Sequence, residues 1–94
     1  MNTYAVVYTY GGDPSARDQH RPRHKDFLAR LHEDGRLRVS GPLASEGSPG
    51  ALLIIEGESA EDVARLMDGD PFQREGLIAS RSIDEWTIVF GGIR

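Results

Sequence analysis

The run ALLIIEG at residues 51–57 restricts the fold most, because it is continuously apolar and lies between turn residues. A strand of this composition is usually covered on both sides, so it belongs at the centre of a sheet. Three other segments have the composition of strands: residues 3–10, 37–40 and 77–90. The polar segment 44–50, rich in Gly, Ser and Pro, is predicted to be a loop.

Two amphipathic segments separate these strands. The first is predicted to be a helix from about Pro22 to Asp34, with a short turn before it that starts at Asp13 and Pro14. The second helix is predicted to start at Ser59 and to end near residue 68, before a polar turn at 70–76. The order is therefore β-α-β-β-α-β, which predicts an α+β, ferredoxin-like split fold with two helices on one face of an antiparallel four-stranded sheet.

Two helices cover only one side of such a sheet, which leaves the other side to a partner. The uncovered side is predicted to carry some of six apolar residues: Tyr4, Val6, Tyr8, Ile54, Ile83 and Trp86. A patch of this size is too large for a monomer to expose to water. We therefore expect a homodimer that packs sheet against sheet.

Composition narrows the possible partners. The 94 residues are expected to form a single domain, 1–94, and without cysteine they contain no disulfide, thiolate nucleophile or Cys-based metal site. The net charge of −4 argues against nucleic acid as a partner. No apolar run is long enough to span a membrane, and MNTYAVVYTY does not have the pattern of an export signal, so we expect a cytoplasmic protein.

Two histidines, His20 and His24, lie four residues apart, which is the spacing of a metal-binding pair on a helix. Pro22 is predicted to start the helix, which would leave His20 outside it and His24 in its first turn. No metal site is therefore predicted. The positive end of the helix dipole and the neighbouring arginines would favour a neutral His24 ring that can accept a proton.

Several short motifs, in order, resemble the YCII family: R-P-x-H at Arg21, Pro22 and His24, H-x-D-G-R-L at His32–Leu37, S-G-P-L at Ser40–Leu43, D-P-F at Asp70–Phe72 and G-L at Gly76 and Leu77. This resemblance implies a ferredoxin-like domain that dimerises through its sheet. It also implies a pocket centred on a histidine and an aspartate, which correspond here to His24 and Asp70. One branch of the family removes HCl from chlorinated aromatic compounds, which implies elimination chemistry without a metal or an organic cofactor.

Other ligand contacts are predicted around this pair: Arg21, Ser40, Gly41, Pro42, Tyr8 and Phe72. Arg21 would hold an anionic group of the ligand through a forked pair of hydrogen bonds. Some of these residues also have purely structural interpretations. Residues 40–42 can simply end a strand, Tyr8 can pack in the core or the dimer interface, and Asp70 can form a turn before a proline.

We therefore predict a small, cofactor-free enzyme in which His24 transfers a proton and Asp70 orients it. The reaction would be an elimination or isomerisation of a small oxygenated metabolite, including aromatic and enolic ones. The alternatives are a non-enzymatic module that binds a small molecule and an interaction domain that works through its sheet face. The pair is expected to be exposed or half-exposed, so that substitutions there would change the melting temperature little.

Overall fold

The computed structural model describes residues 1–44 and 47–92. It places four strands and three helices in these ranges: β1 (Asn2–Tyr10), α1 (Pro14–Glu33), β2 (Leu37–Leu43), β3 (Gly50–Gly57), α2 (Ala60–Met67), α3 (Pro71–Arg74) and β4 (Ile78–Glu85). The sheet order is β2-β3-β1-β4 with every pair antiparallel. The predicted ferredoxin-like fold is confirmed, with the apolar run in a central strand. Residues 45 and 46 of the predicted loop lie outside the described residues.

Helix α1 begins at Pro14 and not at Pro22. The side chain of Asp13 caps this earlier start, and Pro22 lies inside the helix with its ring exposed. A proline there removes one backbone hydrogen bond, although the turns on both sides remain helical. The predicted helix start was therefore wrong. His20 is inside α1, and His24 is beyond the first turn, where the helix dipole has little effect.

The two shorter helices begin at capping side chains. Ser59 accepts the backbone N–H of Asp62 at 3.1 Å, as the predicted cap of α2 requires. The segment predicted to be a polar turn contains the one-turn helix α3, so that prediction was wrong for residues 71–74. Asp70 caps α3 by accepting the N–H of Phe72 at 3.0 Å, and Pro71 occupies the first helical position. The Asp-Pro pair therefore starts a helix.

Two strands differ in length from the prediction. Strand β2 runs on to Leu43, because an edge strand that pairs on only one side tolerates Pro42. Strand β4 ends at Glu85 rather than near residue 90. The N–H of Trp86 still donates to the carbonyl of Thr3 at 2.8 Å, but β1 begins at residue 2 and offers almost no further backbone for pairing.

The core lies between the sheet and the helices. Its buried residues include Tyr4, Val6, Tyr8, Leu31, Leu53, Ile55, Val63 and Met67. Tyr4, Val6 and Tyr8 alternate along β1, so all three face the helices, and Ile83 lies opposite Val6 in the register. The prediction that these four residues can lie on the uncovered side was wrong.

The uncovered side of the sheet carries a smaller apolar set. Of the six residues predicted for this side, Ile54 belongs to it. It is 3% exposed and lines a small pocket together with Ile88, which follows β4 in the chain. Val39 and Leu52 lie on the same side and are 45% and 36% exposed. Trp86 follows the end of β4. Among the described residues, no helix is both long and apolar enough to cross a membrane.

Candidate active site

A histidine–aspartate pair from α1 and the start of α3 forms the centre of the site. Nδ1 of His24 lies 2.7 Å from Oδ1 of Asp70, although the two residues are 46 positions apart. The side chain of Asp70 is fully buried, and His24 is 8% exposed. The expectation that the pair is exposed or half-exposed was therefore wrong, and substitutions at Asp70 will affect stability.

Both oxygens of Asp70 accept hydrogen bonds. Besides His24, Oδ1 accepts the N–H of Phe72 at 3.0 Å, and Oδ2 accepts the hydroxyl of Tyr8 at 3.0 Å. Burial raises the pKa of the Tyr8 phenol well above its ordinary range, and the charge of Asp70 raises it further. Tyr8 therefore stays protonated and acts as a donor. Three donors suit an ionised carboxylate that is held in one orientation.

The imidazole of His24 is fixed by two contacts at right angles. Its edge meets Asp70, and its face stacks on the ring of Phe72 with centroids 4.0 Å apart and planes 5° apart. With Asp70 ionised, the proton of the neutral imidazole lies on Nδ1, and Nε2 keeps its lone pair. Nε2 is thus the nitrogen that remains for a ligand.

A cleft of about 470 Å³ lies beside this ring, between α1 and the strands β2 and β3. Six of the predicted site residues line it: Arg21, His24, Ser40, Gly41, Pro42 and Phe72. Tyr8 is not among the lining residues. It lies beneath the cleft, where its hydroxyl supports Asp70. Asp70 likewise does not line the cleft, but it hydrogen-bonds to His24 and Phe72, which do.

Sequence reasoning missed five lining residues: Tyr10, Lys25, Leu28, Ala51 and Leu53. Lys25 and Leu28 follow Arg21 and His24 at helical spacing, so one face of α1 supplies four residues to the cleft. That spacing predicts both residues as part of the cleft once it is known that α1 extends through them. Tyr10 shares the helix-facing side of β1 with Tyr8. The alternation of side chains along a strand could have predicted this orientation of Tyr10.

The charges around the cleft are positive. Arg21 and Lys25 border it from α1, and no acidic side chain lines it among the described residues. Arg21 also contacts Asp18 on its own helix, with Nη1 and Oδ1 2.7 Å apart. Burial raises the pKa of the Tyr10 phenol, as does the charge of Asp70, while Arg21 partly opposes the shift. The cleft therefore favours an anionic ligand and offers it a protonated phenol.

His20 and His24 share one helix, so the reason for expecting no metal pair was wrong. Their rings nevertheless have different surroundings. His20 contacts Arg23 through Nδ1, and its Nε2 lies 3.8 Å from Glu75, whereas His24 binds Asp70. Over residues 1–44 and 47–92, no three His, Cys, Asp or Glu side chains are grouped in a way that could hold a metal ion.

Comparison with known proteins agrees with the motifs. The profile of the YCII-related domain matches residues 1–87. The chain belongs to the YCII-related family. The protein YciI of Escherichia coli O6:H1 is 32% identical over 78 residues, which cover 74% of this chain and 80% of that protein. The uncharacterized protein YjpA of Bacillus subtilis strain 168 is 31% identical over 70 residues, which cover 74% and 79%.

A solved structure shares the fold over most of its length. It is the 5-chloro-2-hydroxyhydroquinone dehydrochlorinase TftG from Burkholderia phenoliruptrix AC1100, in complex with 2,5-dihydroxybenzoquinone. The TM-score is 0.72 at 26% sequence identity, and the match covers 89% of this chain and 93% of that chain. The ferredoxin-like fold of this family member is thus shared with an enzyme that acts on a small molecule.

Proposed function

We propose that the protein is a cofactor-free enzyme in which Nε2 of His24 removes a proton from a small oxygenated substrate. The observation that carries this proposal is the 2.7 Å contact between His24 Nδ1 and the buried Asp70. It commits one ring nitrogen to the carboxylate and leaves the other, as a base, to the cleft. A general base must lie within hydrogen-bond reach of the proton that it removes, and His24 lines the cleft in which we place the substrate.

The proposed reaction is an elimination. Nε2 takes a proton from a hydroxyl or carbon of the substrate, the electron pair left behind forms a new double bond, and a leaving group such as chloride departs with its own electron pair. The net loss is one proton and one anion, so the step requires no oxidant or reductant. The carboxylate of Asp70 stabilises the imidazolium that forms. In an isomerisation, the imidazolium would instead return the proton to another atom of the same molecule.

The substrate class follows from the walls of the cleft and from the related enzyme. Leu28, Leu53 and Phe72 offer apolar contact to a ring, and Arg21 and Lys25 stabilise the anion that proton removal creates. The similarity to a dehydrochlorinase bound to a dihydroxyquinone supports a hydroxylated ring or a related enol. We therefore propose a small, acidic, oxygenated ring compound or enol as the substrate.

Two measurements test this function. Calorimetric titration with 2,5-dihydroxybenzoquinone should show binding, and incubation with 5-chloro-2-hydroxyhydroquinone should release chloride above the spontaneous rate. We expect His24→Gln to reduce the catalysed rate at least 100-fold, the usual contribution of general base catalysis. His32→Gln is the matched control, because His32 lies on the same helix, hydrogen-bonds to the carbonyl of Leu37 and does not line the cleft. Binding of the quinone without catalysed release of chloride by the unmodified protein would instead support a non-enzymatic binding module.

We also propose that the protein is a homodimer through the uncovered side of its sheet. Leu52 on the central strand β3 is 36% exposed, and Val39 and Leu43 on the edge strand β2 are 45% and 39% exposed. An apolar sheet face of this kind is covered when two sheets pack against each other. A second copy of the chain offers the same complementary face, as a two-fold symmetric interface requires.

A further inference from the structure

Tyr10 lies at the end of β1, where its half-buried side chain borders the cleft beside His24. Two residues earlier, Tyr8 points to the same side of the sheet but lies beneath the cleft. One strand thus supplies two tyrosines to the site at different depths. The deeper one supports Asp70, and the outer one is in a position to contact a ligand directly.

The ring of Tyr10 is held without help from its hydroxyl. It meets the edge of Phe72 with centroids 5.6 Å apart and planes 86° apart. The guanidinium of Arg17 lies 5.6 Å from the centroid of the ring, and Arg17 is itself fixed by donating to the carbonyl of Gly11 at 2.9 Å. Packing of this kind would be equally available to a phenylalanine.

The hydroxyl of Tyr10 is therefore the part of the side chain that packing does not explain. Within the described ranges it has no hydrogen-bond partner, whereas the hydroxyl of Tyr8 donates to Asp70. The raised pKa described above keeps the Tyr10 phenol protonated through the neutral range. A fixed and protonated phenol at the edge of a positive cleft is well suited to donate to an oxygen that carries negative charge.

We infer that Tyr10 is a further catalytic residue, whose hydroxyl donates a hydrogen bond to a ligand oxygen while His24 acts on a neighbouring proton. The inference rests on the proposed function and extends it, because it requires two functional groups on the ligand. The ligand must carry one group that gives up a proton and a second oxygen that accepts a hydrogen bond and becomes more negative as the proton leaves. Hydroxyquinones and conjugated enols have this pattern, whereas simple monohydric alcohols do not.

The test compares Tyr10→Phe with Tyr4→Phe, with 2,5-dihydroxybenzoquinone as the probe. Tyr4 lies on the same strand and the same face but is buried in the core away from the cleft, so the control removes the same hydroxyl group from β1. We expect Tyr10→Phe to weaken binding about 10- to 100-fold, which is the effect of losing one hydrogen bond to a charged ligand. Tyr4→Phe should bind within about twofold of the unmodified protein. Thermal melts of both variants show whether a weaker affinity reflects unfolding.

The outcomes separate this inference from the proposed function. Unchanged binding and unchanged chloride release in a folded Tyr10→Phe variant would overturn the role of Tyr10, and the base would stand if His24→Gln still abolished the reaction. Loss of binding in both tyrosine variants to the same extent would also overturn it, because the effect would then not depend on the cleft. Failure of the unmodified protein to bind the probe at all would overturn both proposals for this class of ligand.

Discussion

Replacing Asp70 tests whether the buried carboxylate is held in place by its three donors. Asp70→Ala leaves the Tyr8 hydroxyl, the His24 ring N–H and the Phe72 N–H without their acceptor inside the protein. A buried donor left without its acceptor costs about 1–3 kcal/mol, and the removal of a buried charge offsets part of the total for the three donors. The cost of losing the α3 cap is part of this total, since an N-cap residue contributes about 1 kcal/mol. We expect the free energy of unfolding to fall by about 4 kcal/mol.

Asp70→Asn should cost much less, because the amide has the same shape and asparagine is an equally good helix cap. Its oxygen can still accept from His24 and Phe72, and the Tyr8 hydroxyl can turn to accept from its NH₂ group. Hydrogen bonds to a neutral group are weaker by about 1 kcal/mol each, and relief from burying a charge offsets part of that loss. We expect a cost of about 1–2 kcal/mol. The catalysed rate should nevertheless fall sharply, because an amide cannot balance the charge of the imidazolium.

Urea denaturation of the two variants and the unmodified protein measures these costs at constant pH. The decisive quantity is the difference between the alanine and asparagine variants, which we expect to be about 2–3 kcal/mol. A difference below about 0.5 kcal/mol, near the uncertainty of such data, would mean that the hydrogen bonds to Asp70 contribute little. Full activity of Asp70→Asn would show that the carboxylate charge is not needed by His24.

Three further predictions concern other parts of the molecule. The raised pKa of Tyr8 stabilises the folded state below about pH 10, the ordinary pKa of tyrosine, and this contribution is lost as the pH rises above it. In urea titrations between pH 8 and pH 11, the free energy of unfolding should therefore decline less steeply for Tyr8→Phe than for the unmodified protein. Leu52→Lys should convert the proposed dimer to a monomer with an unchanged circular dichroism spectrum, and light scattering that still gave a dimer mass would contradict the interface. Gly50→Ala should destabilise the protein by about 1–3 kcal/mol, because a Cβ at that position would lie 2.2 Å from the carbonyl oxygen of Tyr8. Gly92→Ala is its control, since among the described residues nothing lies within 4 Å of the Cβ that it would add, and equal melting temperatures for the two variants would refute the steric argument.

Local sequence patterns were sufficient to predict the order of the four strands and of α1 and α2, and therefore the fold. These properties follow from local chemistry: the continuous apolar run of β3, the alternation along β1 and the cap at Ser59 each act within a few residues. Local rules failed where two local signals for the same helix start competed. Pro22 reads as a helix start, yet the cap at Asp13 starts α1 two turns earlier and the helix continues through the proline.

The candidate site depended still more on the tertiary structure. The family motifs pointed to His24 and Asp70, but the 2.7 Å contact, the burial of both side chains and the stacking on Phe72 arise only when α1 and α3 pack together. The different roles of Tyr8 and Tyr10 could not be predicted from the sequence either, because both residues lie on the same side of one strand. Periodicity fixes which face of a strand a side chain occupies, whereas its depth and its partners depend on elements that are distant in the chain.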